Sequence, residues 1–85
     1  MLDEVKKDLR ITHSVLDEEI SADISAALAF IETAGVLPDE NDPLIRRCVK
    51  NYCRWHYDYN NQGELYRAAF EELLKTLTLS QKRRL

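Results

Sequence analysis

The stretch LDEVKKDLRITHSVLDEEISADISAALAFIE, residues 2–32, constrains the fold most, because it reads as two helices of unequal length separated by a break. In the first, Leu2, Val5 and Leu9 recur at i, i+3 and i+7 and form one narrow apolar stripe on an otherwise charged helix. Thr12-His13-Ser14 interrupts that period. Ser14, followed three residues later by Asp17 with Glu18 and Glu19 crowding the next turn, predicts a helix start: a hydroxyl to cap orphan amides, and anions at the positive end of the dipole. At about 100° per residue, Leu16, Ile20, Ile24, Ala27, Ile31 and Ala34 then cover one face, while Ala22, Ala26 and Ala29 make a separate strip of small residues. Two such faces call for two partners, whether from the same chain or from another subunit. Asp23 lies at the margin of the main face, where solvent or an arginine would satisfy it.

The rest of the chain continues in helices. Gly35 stands where a C-capping glycine belongs, and Val36–Asn41, with Pro38, forms a short polar connection. Asp42-Pro43 restarts the helix, since Asp accepts at the cap and Pro needs no amide partner in the first turn. From Pro43 to about Tyr59, the residues Leu44, Ile45, Cys48, Val49, Tyr52, Trp55, His56 and Tyr59 span about half the circumference, which makes this helix the hub of the core. Opposite them Arg46, Arg47, Lys50 and Arg54 gather into a basic stripe. Asn60–Gly63 is a turn, and Glu64 to about Leu77 forms a last helix with Leu65, Tyr66, Ala69, Phe70, Leu73, Leu74 and Leu77 on its inner side. Ser80–Leu85 loses the apolar period and is frayed or ordered only by a partner. With no strand alternation and no repeat, the expected fold is all-α: a small bundle of three longer helices plus a short N-terminal helix, residues 1–78, followed by a basic tail, 79–85.

Eighty-five residues suffice for one core, which at this size buries roughly 60 to 65% of the unfolded surface. No apolar run approaches the ~20 residues of a membrane span. Met1 leads directly into charged helix residues rather than an apolar signal region, so synthesis in the cytoplasm is expected. The net charge of −3 conceals a division: residues 1–42 hold eleven acids and three bases, residues 43–85 four acids and nine bases. Acidic helix 2 lying on basic helix 3 would satisfy this within one molecule, and head-to-tail assembly of oppositely charged patches would satisfy it between molecules.

Cys53 and His56 are three apart on one helix, and Cys48 and His13 are further soft ligands, but a structural zinc site needs four convergent ligands and no second pair is present. Cys48 and Cys53 project about 140° apart and do not bridge each other. There is no phosphate-cradling glycine loop and no nucleophile motif, so no enzyme, no metal and no cofactor is expected. Short turns between helices raise a helix-turn-helix DNA reader as the alternative, with the basic stripe as its reading surface; against it stand the acidic balance and the broad buried face of helix 3.

The order LDEVKKDLRIT, an acidic helix start, ISAALAFIE, LIRRCVKNYCRWHYDYN and a leucine-rich last helix resembles the head-tail connector family of tailed bacteriophages over nearly the whole chain. The resemblance implies a head-completion adaptor in the virion. Such a subunit docks under the portal protein after DNA packaging, forms a ring, meets a downstream head-completion or tail protein, and extends the channel through which duplex DNA passes without sequence-specific binding. It also implies a C-terminal portal contact, here Leu79, Lys82, Arg83, Arg84 and Leu85, although this chain is short at that end. For the lateral seam the expected residues are Ala22, Ala26 and Ala29 with Arg46, Arg47, Lys50 and Arg54, and acidic helix 2 is expected toward the channel, since cationic clamps would hold DNA through counterion release. A helical adaptor of bacterial rather than viral origin differs from this by genomic context alone.

Overall fold

In a computed structural model, which describes the backbone of residues 1–84 and the side chains of residues 1–80, the chain is all-α. Four helices follow one another, α1 (Leu2–Asp8), α2 (Asp17–Thr33), α3 (Pro43–His56) and α4 (Gly63–Arg84), with a short 3-10 turn at Tyr59–Asn61. The central element is α3, which packs on each of the other three, whereas α2 and α4 scarcely meet. Its broad apolar face explains this: Ile45, Cys48, Val49, Tyr52 and Cys53 are all buried, and they join Val5 and Leu9 of the first segment, Ile20, Ile24, Ala27 and Ile31 of α2, and Phe70 and Leu77 of α4 in one core. Leu44, His56 and Leu65, expected inside, lie exposed at the edges of their helices.

The first two helices end in the same device. After α1, the Ile11 amide donates to the Lys6 carbonyl and the Arg10 amide to the Lys7 carbonyl; after α2, the Val36 amide donates to Ile31 and the Gly35 amide to Glu32. These are Schellman pairs, which put the residue past the cap in the left-handed region. Gly35 (φ 88°) fits there without cost, and Val36, expected in a polar connection, is instead buried against the core as the apolar contact of the motif. Arg10 (φ 59°) occupies the equivalent place after α1, so the break begins at Arg10, ahead of Thr12.

Three boundaries differ from expectation. Ser14 does not cap α2 with its hydroxyl: its carbonyl accepts the Asp17 amide in a turn, and the helix begins at Asp17 with Leu16 at the cap and no side-chain bond. At the far end of α3 the chain leaves the helix at Tyr57, because Asp58 turns left-handed (φ 46°) and uses its carboxylate to accept the Gly63 amide at 2.8 Å, which ties the start of α4 to the end of α3. The left-handed residues in this corner are Asp58, Asn60 and Asn61, the side-chain types that tolerate it best. Finally, α4 does not stop near Leu77; its backbone stays helical across the expected domain edge at 78/79, through Arg84. The expected capping of α3 is as built, with Asp42 Oδ1 accepting the Leu44 amide at 2.9 Å and Pro43 in the first turn. Among the described residues no helix is long and apolar enough to cross a membrane.

Candidate functional site

The basic residues singled out in the sequence meet acidic partners inside the molecule, on a helix that was not expected to supply them. Glu4 and Asp8 stand one turn apart on α1, and Arg46, Lys50 and Arg54 stand one turn apart on α3. Brought side by side, Glu4 takes Arg46 at 3.7 Å and Lys50 at 3.8 Å, and Asp8 takes one edge of the Arg54 guanidinium with both oxygens, Nε donating to Oδ2 at 2.6 Å and Nη2 donating to Oδ1. The basic stripe therefore rests on α1, not on acidic α2. Arg46 also donates from Nε to the Glu40 carbonyl at 2.8 Å.

These contacts are unequal. The two Glu4 pairs are long and exposed, and such pairs contribute about 0 to 1 kcal/mol. The Asp8–Arg54 pair is three-quarters or more buried on both side chains, and the Arg54 guanidinium lies over the rings of Tyr59 and Tyr66, 5.3 and 5.1 Å from their centroids, while the two rings meet edge to face at 6.2 Å. Its hydrogen bond with Asp8 raises the Arg54 pKa above the ordinary value, against the opposing effect of burial. Arg47 points outward with no charged partner among the described residues. A fifth link, Lys6 to Asp17 at 2.8 Å, ties α1 to the start of α2.

The alanine strip is left largely uncovered by its own chain. Ala22 and Ala29 are exposed, and Ala26 is half buried against the core. Asp23 is half buried near the Tyr57 hydroxyl, which has no well-formed hydrogen bond among the described residues; burial, helped by Asp23 and Glu19, pushes that phenol up to about 12. Of the C-terminal set, Leu79 is exposed on α4. The side chains of Lys82, Arg83 and Arg84, and the whole of Leu85, lie outside the described residues.

The soft ligands do not converge. Cys48 and Cys53 are buried thiols, pushed up to about 12 by desolvation and so protonated and unreactive at neutral pH, while His56 is exposed and stacked on the Tyr52 ring at 4.2 Å. Among the described residues no group of three or more His, Cys, Asp or Glu side chains is placed to hold a metal.

Two surfaces escaped the sequence reading. One is an open apolar groove of about 500 Å³ where Ala34, at the end of α2, faces Leu74, Thr78 and Leu79 of α4, with Glu71 and Lys75 at its rim. The other is Val15, the most exposed of the large apolar side chains at 82%. The four-residue spacing shared by Glu4/Asp8 and Arg46/Lys50/Arg54 was the available signal for the α1–α3 lattice; the groove had none, because it depends on how α2 and α4 diverge over α3.

Comparisons with protein-family models, with curated proteins and with solved structures return no match.

Proposed function

We propose that this protein is a subunit of a bacteriophage or prophage head-tail connector, an adaptor that forms a ring under the portal protein, is followed by a head-completion or tail protein, and continues the DNA channel of the completed head. The reading is carried by one observation: a chain of 85 residues leaves Val15, Phe30, Leu37, Leu44, Leu65 and Leu79 each at least half exposed, spread over α2, α3, the two ends of α4 and the connections before and after α2. Single exposed apolar residues are ordinary, but six on so small a body, together with an open alanine strip, suit a subunit with neighbours on several sides. The order of a short N-terminal helix, a longer helix with central alanines and an aromatic helix end supports the same reading, whereas α4, at 22 residues the longest helix, departs from the short final helix of the resemblance. Its place of work is then the head-tail junction of the virion, and its task needs surfaces rather than a reaction, cofactor or metal.

The DNA-regulator reading loses ground on the basic stripe. Asp8 holds Arg54 and the weaker Glu4 contacts draw Arg46 and Lys50 toward α1, which leaves Arg47 as the one stripe residue without a charged partner among the described residues, too little for a base-reading surface. The acidic character of α2, with Glu32 exposed, suits a channel wall past which DNA slides.

The test is co-expression with the portal protein encoded in the same genome. The chain is expected to co-purify with the portal ring and to add a second ring of density beneath it in electron micrographs, while the isolated chain shows no salt-dependent affinity for duplex DNA. A portal ring that leaves the chain behind, or nanomolar sequence-selective binding in a mobility assay, refutes the connector reading; the second result restores the regulator.

A further inference from the structure

Two patches at opposite ends of α2 each combine open apolar surface with charge that has no ion-pair partner among the described residues. At the N-terminal end, Val15 projects from the turn before the helix, and Glu18 and Glu19, just beyond it, are exposed and in no ion pair among the described residues. At the C-terminal end lies the groove of Ala34, Leu74, Thr78 and Leu79, with Phe30 half exposed one turn earlier. Glu71 at the rim is engaged by Arg67 at 3.1 Å, which leaves Lys75 as the rim charge with no ion-pair partner among the described residues. The 17 residues of α2 separate the two ends by about 25 Å, so a molecule cannot seat its own Val15 turn in its own groove.

We propose that the groove between α2 and α4 receives the Val15 turn of a second copy, with Glu18 and Glu19 of that copy set against Lys75. Charge selects the occupant: an apolar knob flanked by free acids matches an apolar groove flanked by a free base. The two patches differ and lie at opposite ends, so the contact is heterologous; it repeats head to tail and closes into a ring when the rotation between copies permits. One such contact is small beside the roughly 1,200 Å² of a stable interface, so the isolated chain is expected to associate weakly and to hold its neighbours firmly only when a ring or a portal template adds the contacts together. This seam differs from the α3 basic stripe, of which Arg46, Lys50 and Arg54 already meet α1. It rests on the connector reading for ring closure alone.

The full chain carrying Val15→Cys and Leu79→Cys tests it, because native Cys48 and Cys53 are buried and leave oxidation to the introduced pair. Under mild oxidation at high concentration the double variant is expected to form a disulfide ladder of dimers, trimers and higher species, while each single variant stops at dimers. Adding Lys75→Glu should suppress the ladder severalfold, and adding Glu18→Lys and Glu19→Lys to that background should restore it. With folding checked by circular dichroism, the absence of a ladder, or a ladder indifferent to Lys75→Glu, overturns the proposal. The same chains are then offered to the portal protein. Portal-bound rings without the cross-link remove this seam and keep the connector reading, whereas a charge-dependent ladder from a chain that ignores the portal keeps the seam and removes the connector reading.

Discussion

Arg54 on α3 and Asp8 at the end of α1, 46 residues apart, are joined by a two-point guanidinium–carboxylate contact, and the other side of the same guanidinium faces Tyr59 and Tyr66. One side chain thus links the N-terminal helix, the hub and the corner leading into α4. The contact is partly screened from water, so losing one partner strands a charge that the other side chain had satisfied. Planarity matters as well, since lysine supplies neither the fork nor the flat group that lies over the two rings.

Arg54→Lys is therefore expected to cost about 1–3 kcal/mol in urea unfolding, and Asp8→Asn a similar amount. Hydrogen exchange should speed up first in α1, whose remaining anchors are Val5, Leu9 and the weaker Glu4 and Lys6 pairs. A double-mutant cycle that shows no coupling between positions 8 and 54 would make the pair a bystander.

The paired Schellman ends give a second prediction with opposite signs. Arg10 holds a left-handed conformation that costs an L side chain about 1–2 kcal/mol, so Arg10→Gly should stabilise the protein by up to about 1 kcal/mol after the added chain entropy is counted. Gly35→Ala has open space for its methyl group but the same backbone penalty, and should destabilise by about 1 kcal/mol. Thermal melting of the two variants beside the parent checks both signs.

What was legible in the sequence was periodic or carried by a strong local signal. The broad face of α3, its Asp42-Pro43 start and the Gly35 cap are each set by residues within a turn or two, and they appear as read except at the edges of the face, where Leu44 and His56 are exposed. Ser14 misled because a serine ahead of acids can cap by hydroxyl or turn by carbonyl, and the choice fell to the Lys6–Asp17 pair and to packing between α1 and α2. Arg10 gave no warning at all, since nothing local marks an arginine for the left-handed region. The placement of the basic stripe depended on which acidic helix it met, and a charge count over half a chain does not distinguish α1 from α2. The candidate surfaces were the least legible part: the alanine strip was visible as a pattern, but the groove beside Leu74 and Leu79 exists only because two helices that scarcely touch are held over a third.

The α3–α4 corner predicts a sharp intolerance at Gly63. A Cβ there would stand 2.6 Å from Asp58 Oδ1 and 3.2 Å from the Trp55 carbonyl oxygen, while the Gly63 amide must keep its 2.8 Å bond to that same carboxylate. Gly63→Ala has to push the carboxylate away and so lose the bond that fixes the start of α4. A loss of about 1–3 kcal/mol is expected in chemical denaturation. Combining it with Asp58→Ala should cost much less than the sum of the two, because the second change removes the atom that the first one strikes.

Buried thiols and a buried phenol set an alkaline limit on the fold. Desolvation lifts Cys48 and Cys53 from 9 to about 12, with Asp23 and Asp8 adding to the effect at Cys53, and lifts Tyr57 from 10 to about 12. In the unfolded chain these groups release their protons at their ordinary values, while the folded chain holds them longer, so above pH 9 the unfolded state binds fewer protons and stability falls as pH rises. The stabilising contribution is intact below about pH 9 and is lost progressively up to about pH 12. Melting temperature should therefore decline across that window. Cys48→Ala and Cys53→Ala each create a cavity and lower the starting stability, yet each should also flatten the decline, because a group that no longer titrates cannot contribute to the slope. An unchanged slope in both variants would assign the alkaline transition to Tyr57 and to charge repulsion across the surface instead.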